Sequence, residues 1–174
     1  MPKRLTVGLV CAASFQLCVL VGMYINAQLP LWFGTEVSLA TKPVDPRSLF
    51  RGNYALLSYN INQQAVPQAW QDGHPIAKGT VVYIALEPVT ETELWIGNGM
   101  YKEEPTSGLF MRGRTGKNWH LQGAPMIEVS YGIEAFFAPK DKAMALEEQL
   151  NHPHRAVIMV NADGRARLKG IVSN

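Results

Sequence analysis

Residues 43–62 read PVDPRSLFRGNYALLSYNIN, a short helical turn that runs into a strand. The Asp45 carboxylate suits the orphan amides of a first turn, and Pro46 sits well at its first position. Gly52 and Asn53 are the residue types that best tolerate positive φ, so they close the turn. From Tyr54 to Asn62 the alternation puts Ala55, Leu57, Tyr59 and Ile61 on one face and Tyr54, Leu56, Ser58 and Asn60 on the other. The stretch is architectural in character: a turn that launches a half-buried strand.

Outward from it, the same pattern recurs between Gly and Pro punctuation. Strands are expected at Glu36–Thr41, Thr80–Leu86, Glu93–Ile96, Leu109–Arg114, Trp119–Gln122, Met126–Tyr131, Ala156–Val160 and Ala166–Val172. Gly97-Asn98-Gly99 and Arg112-Gly113-Arg114-Thr115-Gly116 read as turn signals at strand ends. Asp141–Leu150 reads as a helix with Ala143, Leu146 and Leu150 on its apolar face, ended at His152-Pro153. The expected class is mainly β, a β-rich sandwich or partly open barrel with one packed helix, preceded by one N-terminal transmembrane helix.

The membrane expectation comes from Leu5–Ile25, LTVGLVCAASFQLCVLVGMYI, which has no charged residue and follows Lys3 and Arg4. About 20 apolar residues at 1.5 Å each cross a hydrocarbon core of roughly 30 Å. A cleaved signal peptide would have a shorter apolar core and a small-x-small site, of which Ile25-Asn26-Ala27 is a poor version. Residues 1–4 are thus expected in the cytoplasm, 5–25 as a retained anchor, 26–35 as a short connection and 36–174 as the outer domain. Tyr24, Trp32 and Phe33 would suit the outer interface. Gly8, Ala12, Val19 and Gly22, with the polar Gln16, form a stripe that would let a partner helix approach closely. Bland composition explains such a stripe equally well. The membrane would be an inner (plasma) or thylakoid membrane, with the domain in the periplasm or lumen.

Gly52, Asn53, Tyr54, Leu57 and Tyr59 together resemble the signature of the GDYXXLXY family of membrane-anchored proteins. Asp45, Pro46, Arg47 and Arg51 nearby are similar to that family as well. So are Tyr131-Gly132-Ile133-Glu134 ahead of Phe136-Phe137, and the closing Gly164 to Gly170. Asn53 stands where the signature has Asp, a change that a turn survives and a catalytic acid would not. The resemblance implies membrane attachment and a strand-rich outer domain; it carries no established reaction.

Composition narrows the functional classes. With 16 Lys and Arg against 14 Asp and Glu, the chain lacks the excess that neutralises nucleic-acid phosphates, so no nucleic-acid partner is expected. Both cysteines, Cys11 and Cys18, lie in the apolar segment, which excludes a disulfide framework or thiolate zinc site in the rest. No phosphate loop, dinucleotide fingerprint or EF-hand appears, and no cofactor is expected. His152-Pro153-His154 advertises a metal only weakly; a helix-end cap or surface position explains it better. The enzymatic alternative is a membrane-bound peptidase-like hydrolase using Ser48 as nucleophile and Lys78 as base. It resembles the way signal peptidases place a serine soon after their anchor, but the usual Ser-Met-x-Pro context is absent.

The remaining signal is basic. On strands, Arg112 and Arg114 share one face, and Arg165, Arg167 and Lys169 share another. If the two faces met, they would suit anionic lipid headgroups or an acidic partner surface; a solvated outer face is the plainer explanation. The functional expectation is an anchored accessory or scaffold protein that organises a membrane protein complex. A small-ligand or anionic-lipid binding module is a further alternative.

Overall fold

The computed structural model describes residues 3–42, 54–71, 76–137 and 154–173. Helix α1 (Lys3–Phe33) is followed after the single residue Gly34 by β1 (Thr35–Lys42). Then come β2 (Tyr54–Leu56), β3 (Ser58–Tyr59), a 3-10 turn at Asn60–Asn62, β4 (Gln63–Ala65) and a second 3-10 turn at Gln68–Trp70. Strands β5 (Val81–Pro88), β6 (Leu94–Tyr101), β7 (Leu109–Leu121), β8 (Ala124–Ser130), β9 (Ala135–Phe137), β10 (His154–Val160) and β11 (Ala166–Ser173) complete the order.

The protein is mostly β, as its alternation dictates. One sheet runs β11-β10-β1-β6-β5-β7-β8-β4, with β3 also paired to β1, and curls into a half-barrel. Its ladders are antiparallel except β1 with β6. A separate pair joins β2 to β9, Tyr54 opposite Phe137. Inward residues alternate along each strand: Val37 and Leu39, Val82 and Ile84, Ile127 and Val129, and Ile158 and Val160 are all buried. Each such side chain contributes roughly 1.5–3 kcal/mol by leaving water. Leu57, Tyr59 and Ile61 are buried too, the face expected from the alternation, although 54–65 breaks into short strands and a 3-10 turn.

Four sequence expectations change. Residues 112–116 are not a turn: β7 runs unbroken for 13 residues. A Cβ on Gly113 would lie 2.3 Å from Val129 Cγ1, so this glycine permits close packing of β7 on β8. Gly97 and Gly99 likewise lie inside β6, which extends to Tyr101. Residues 26–33 are not a connection, because α1 continues through them to Phe33. His154 starts β10 and is buried, not placed at a surface. The expected helix Asp141–Leu150 lies outside the described residues.

An apolar stretch of 28 residues, Thr6–Phe33, makes α1 long and apolar enough to cross a membrane, and the side chains of its most apolar stretch lie free of the rest of the chain. At 1.5 Å per residue it is about 42 Å long, beyond the roughly 30 Å of hydrocarbon. Its last turns pack against β10 and β11, where Ala27, Gln28, Leu29 and Leu31 are partly buried.

Candidate functional site

Two constellations stand out, one inside the domain and one on it. Inside, the segment after β2 is clasped to the turn between β8 and β9. The Tyr59 hydroxyl donates to the Ile133 carbonyl at 2.7 Å, and the Tyr131 hydroxyl donates to the Ile61 carbonyl at 2.7 Å. Glu134 turns back over its own turn, accepting from the backbone amides of Tyr131 at 2.6 Å and Gly132 at 2.8 Å. Asn62 Nδ2 donates to Glu134 at 3.1 Å and to the Val129 carbonyl at 2.8 Å, while its Oδ1 accepts from the Tyr59 amide. Between these side chains the Leu57 amide donates to the Glu134 carbonyl at 2.7 Å.

Burial first, and the charge of Glu134 second, push both phenols well above their ordinary range. Held protonated, each hydroxyl is a donor to a buried carbonyl that would otherwise be orphaned. This is a fastening for two chain segments; its polar atoms are already committed to one another.

The second constellation is a basic groove. It consists of two adjoining depressions, about 400 and 450 Å³, that share Arg112, Tyr131 and Arg165. Arg167, Met23, Asn26 and Ala27 line the first and Arg114 the second. The two basic stretches meet because the hairpin between β10 and β11 folds over β7. The Arg112 amide donates to the Gly164 carbonyl at 2.8 Å. Gly164 has φ +76° and sits so close that a Cβ would be 2.8 Å from the Phe110 ring and 2.9 Å from the Arg112 nitrogen.

Within the groove, Arg165 is partly committed: its Nε donates to Asp163 at 2.5 Å. Partial burial pushes the Asp163 carboxyl up, but the hydrogen bonds and charge of Arg165 outweigh this and hold it below its usual range. Arg114 donates to the Gly79 carbonyl at 3.1 Å. Arg112 and Arg167 make no ion pair among the described residues. Lys169 does not line the groove. The pairing of β10 with β11 slips between Val157 and Ile158, which inserts Lys169 as an extra residue. Such a bulge interrupts the alternation, and Lys169 pairs with Glu36 at 2.5 Å instead.

A family model described as GDYXXLXY protein matches residues 16–171. The chain belongs to the GDYXXLXY family. Comparison with curated proteins and with solved structures returned no match.

Of the signature residues in this GDYXXLXY protein, Leu57 and Tyr59 are core and clasp, and Tyr54 opens β2. Asp45, Pro46, Arg47, Ser48, Arg51, Gly52 and Asn53 lie outside the described residues, so the Ser48 and Lys78 pairing falls there too. Lys78 itself is on an exposed turn, whereas a lysine base requires burial. No three His, Cys, Asp or Glu side chains converge among the described residues. On α1, Gly8, Ala12, Val19 and Gly22 fall in one sector with Gln16 beside it at 100° per residue, and all five are exposed. Asn62, Asp163 and the groove wall of Met23, Asn26 and Ala27 escaped the sequence reading. Asp163-Gly164 is a turn signal that could have located the hairpin, but nothing local says where that hairpin lands.

Proposed function

We propose that this GDYXXLXY protein is a single-pass, membrane-anchored accessory or scaffold protein whose outer β-domain organises a membrane protein complex. Lys3 and Arg4 hold the N-terminus in the cytoplasm. The domain then faces the periplasm from an inner (plasma) membrane, or the lumen from a thylakoid membrane. The observation that carries this reading is the junction: one residue, Gly34, separates α1 from β1, and the last turns of α1 pack on β10 and β11. A tether without slack holds the domain in one orientation at the bilayer surface. An organiser needs that fixed presentation, whereas a tethered enzyme acting on soluble substrates gains nothing from it. The clasp adds support, since the family's Tyr59, Tyr131 and Glu134 are spent on internal bonds.

Chemical cross-linking in native membranes, followed by gentle solubilisation and sizing, tests the reading. A discrete larger complex with a cross-linked membrane protein is expected. Insertion of a flexible Gly-Ser segment after Gly34 is expected to preserve membrane insertion while lowering the cross-link yield severalfold. A monodisperse monomer with no cross-linked neighbour would overturn the proposal.

A further inference from the structure

We propose that the groove lined by Arg112, Arg114, Arg165 and Arg167 is a binding site for the phosphate of an anionic phospholipid, positioned at headgroup depth by α1. The inference rests on the reading of α1 as a membrane span, and it names the ligand of the surface that the short junction presents.

Depth is the first support. Counting about 20 residues from Leu5 across a core of roughly 30 Å puts the outer hydrocarbon edge near Tyr24. Asn26 and Ala27, which line the groove, then stand about 3–5 Å beyond that edge, among the headgroups. The second support is charge. Four guanidinium groups border the groove, and among the described residues the acid in an ion pair with one of them is Asp163, on Arg165 Nε. Glu134 does not line the groove, and its oxygens are committed to the amides of Tyr131 and Gly132 and to Asn62. Among the described residues, Arg112 and Arg167 therefore keep whole planar forks for bidentate phosphate contact, and the Nη donors of Arg165 remain for a third. The third support is amphipathicity. Met23, exposed on α1, forms the wall on the membrane side, next to Ala27. A ligand with a phosphate at one end and an acyl chain at the other would find both chemistries in order. A soluble phosphate compound would use the arginines and leave the Met23 wall idle.

The test uses the full chain, delipidated in neutral detergent and titrated with phosphatidylglycerol or phosphatidylcholine, with bound lipid counted by native mass spectrometry. One phosphatidylglycerol per chain is expected, retained in preference to phosphatidylcholine. Arg112→Gln with Arg167→Gln should weaken retention about 30-fold, from about 1 kcal/mol per arginine near a headgroup surface. Met23→Ser should weaken it further without touching a charge. Thermal unfolding of each variant in the same detergent separates lost binding from lost fold; if the double variant unfolds, Arg167→Gln alone takes its place. Equal retention of both lipids, or unchanged retention in the variants, would overturn the proposal. Inorganic phosphate competing as effectively as the lipid would assign the groove to a soluble phosphate and overturn the lipid source. Loss of a cross-linked acidic protein from the double variant, with lipid retention intact, would assign it to that protein. Lipid counting on the isolated chain fails or succeeds independently of whether a partner is found in native membranes.

Discussion

The clasp and the groove share Tyr131 and are opposite in design. In the clasp, the buried Tyr59, Asn62 and Tyr131 and the half-buried Glu134 satisfy one another and the backbone. In the groove, arginines crowd on an exposed surface, and Arg112 and Arg167 have no counter-ion among the described residues. A buried polar group left without a partner is costly, so such networks close upon themselves. Exposed guanidinium groups remain solvated, and their side chains are free to meet a ligand. The difference teaches that in this chain the signature residues Leu57 and Tyr59 hold the domain together, while the basic residues that the sequence also shows are left at the surface.

Substitutions should therefore have opposite effects in the two regions. The largest stability loss is expected for Glu134→Ala, which removes the acceptor of the part-buried Tyr131 amide and of one Asn62 donor, while the exposed Gly132 amide turns to water. A loss on the order of 3 kcal/mol in denaturant unfolding of the detergent-solubilised chain is expected, with Glu134→Gln recovering part of it. Near-neutral behaviour would mean that the turn is held by other contacts. Next comes pH. The two tyrosines keep their protons in the folded state above their ordinary value near 10, where the unfolded chain releases them. Their contribution is complete below pH 10 and declines as pH rises past it. Stability should fall above pH 10, and Tyr59→Phe should lower stability at neutral pH by about 1 kcal/mol while flattening that alkaline decline. An unchanged alkaline slope in the variant would remove Tyr59 from the account. The smallest effect is expected in the groove: Arg167→Gln should change stability by less than about 0.5 kcal/mol, because it leaves no buried group unsatisfied. A large loss there would make the arginine structural and erase the contrast.

Much of the fold was legible in the chain itself. The apolar run after Arg4 is a matter of length and composition, and neither depends on folding. Alternation marked the strands because residues on one pleated face share an environment, and Leu57, Tyr59 and Ile61 are buried on the face it named. Glycine misled where it served close packing: Gly113 has the local look of a turn but meets Val129 across the ladder. The end of α1 lies beyond Ile25, where the apolar run reads as stopping, and the packing of Ala27, Gln28, Leu29 and Leu31 on the domain is not visible in any local pattern.

What the sequence determined alone was an N-terminal helix long and apolar enough to cross a membrane, the β character and the inward faces, since each follows from composition or periodicity along a local stretch. Tertiary structure decided that Tyr59 would fasten to the turn at Ile133, and that Arg112 and Arg165 would border the same groove. Those pairings join residues tens of positions apart through backbone contacts such as Arg112 to Gly164. They arise from how the sheet curls, and that is a property of all its strands together.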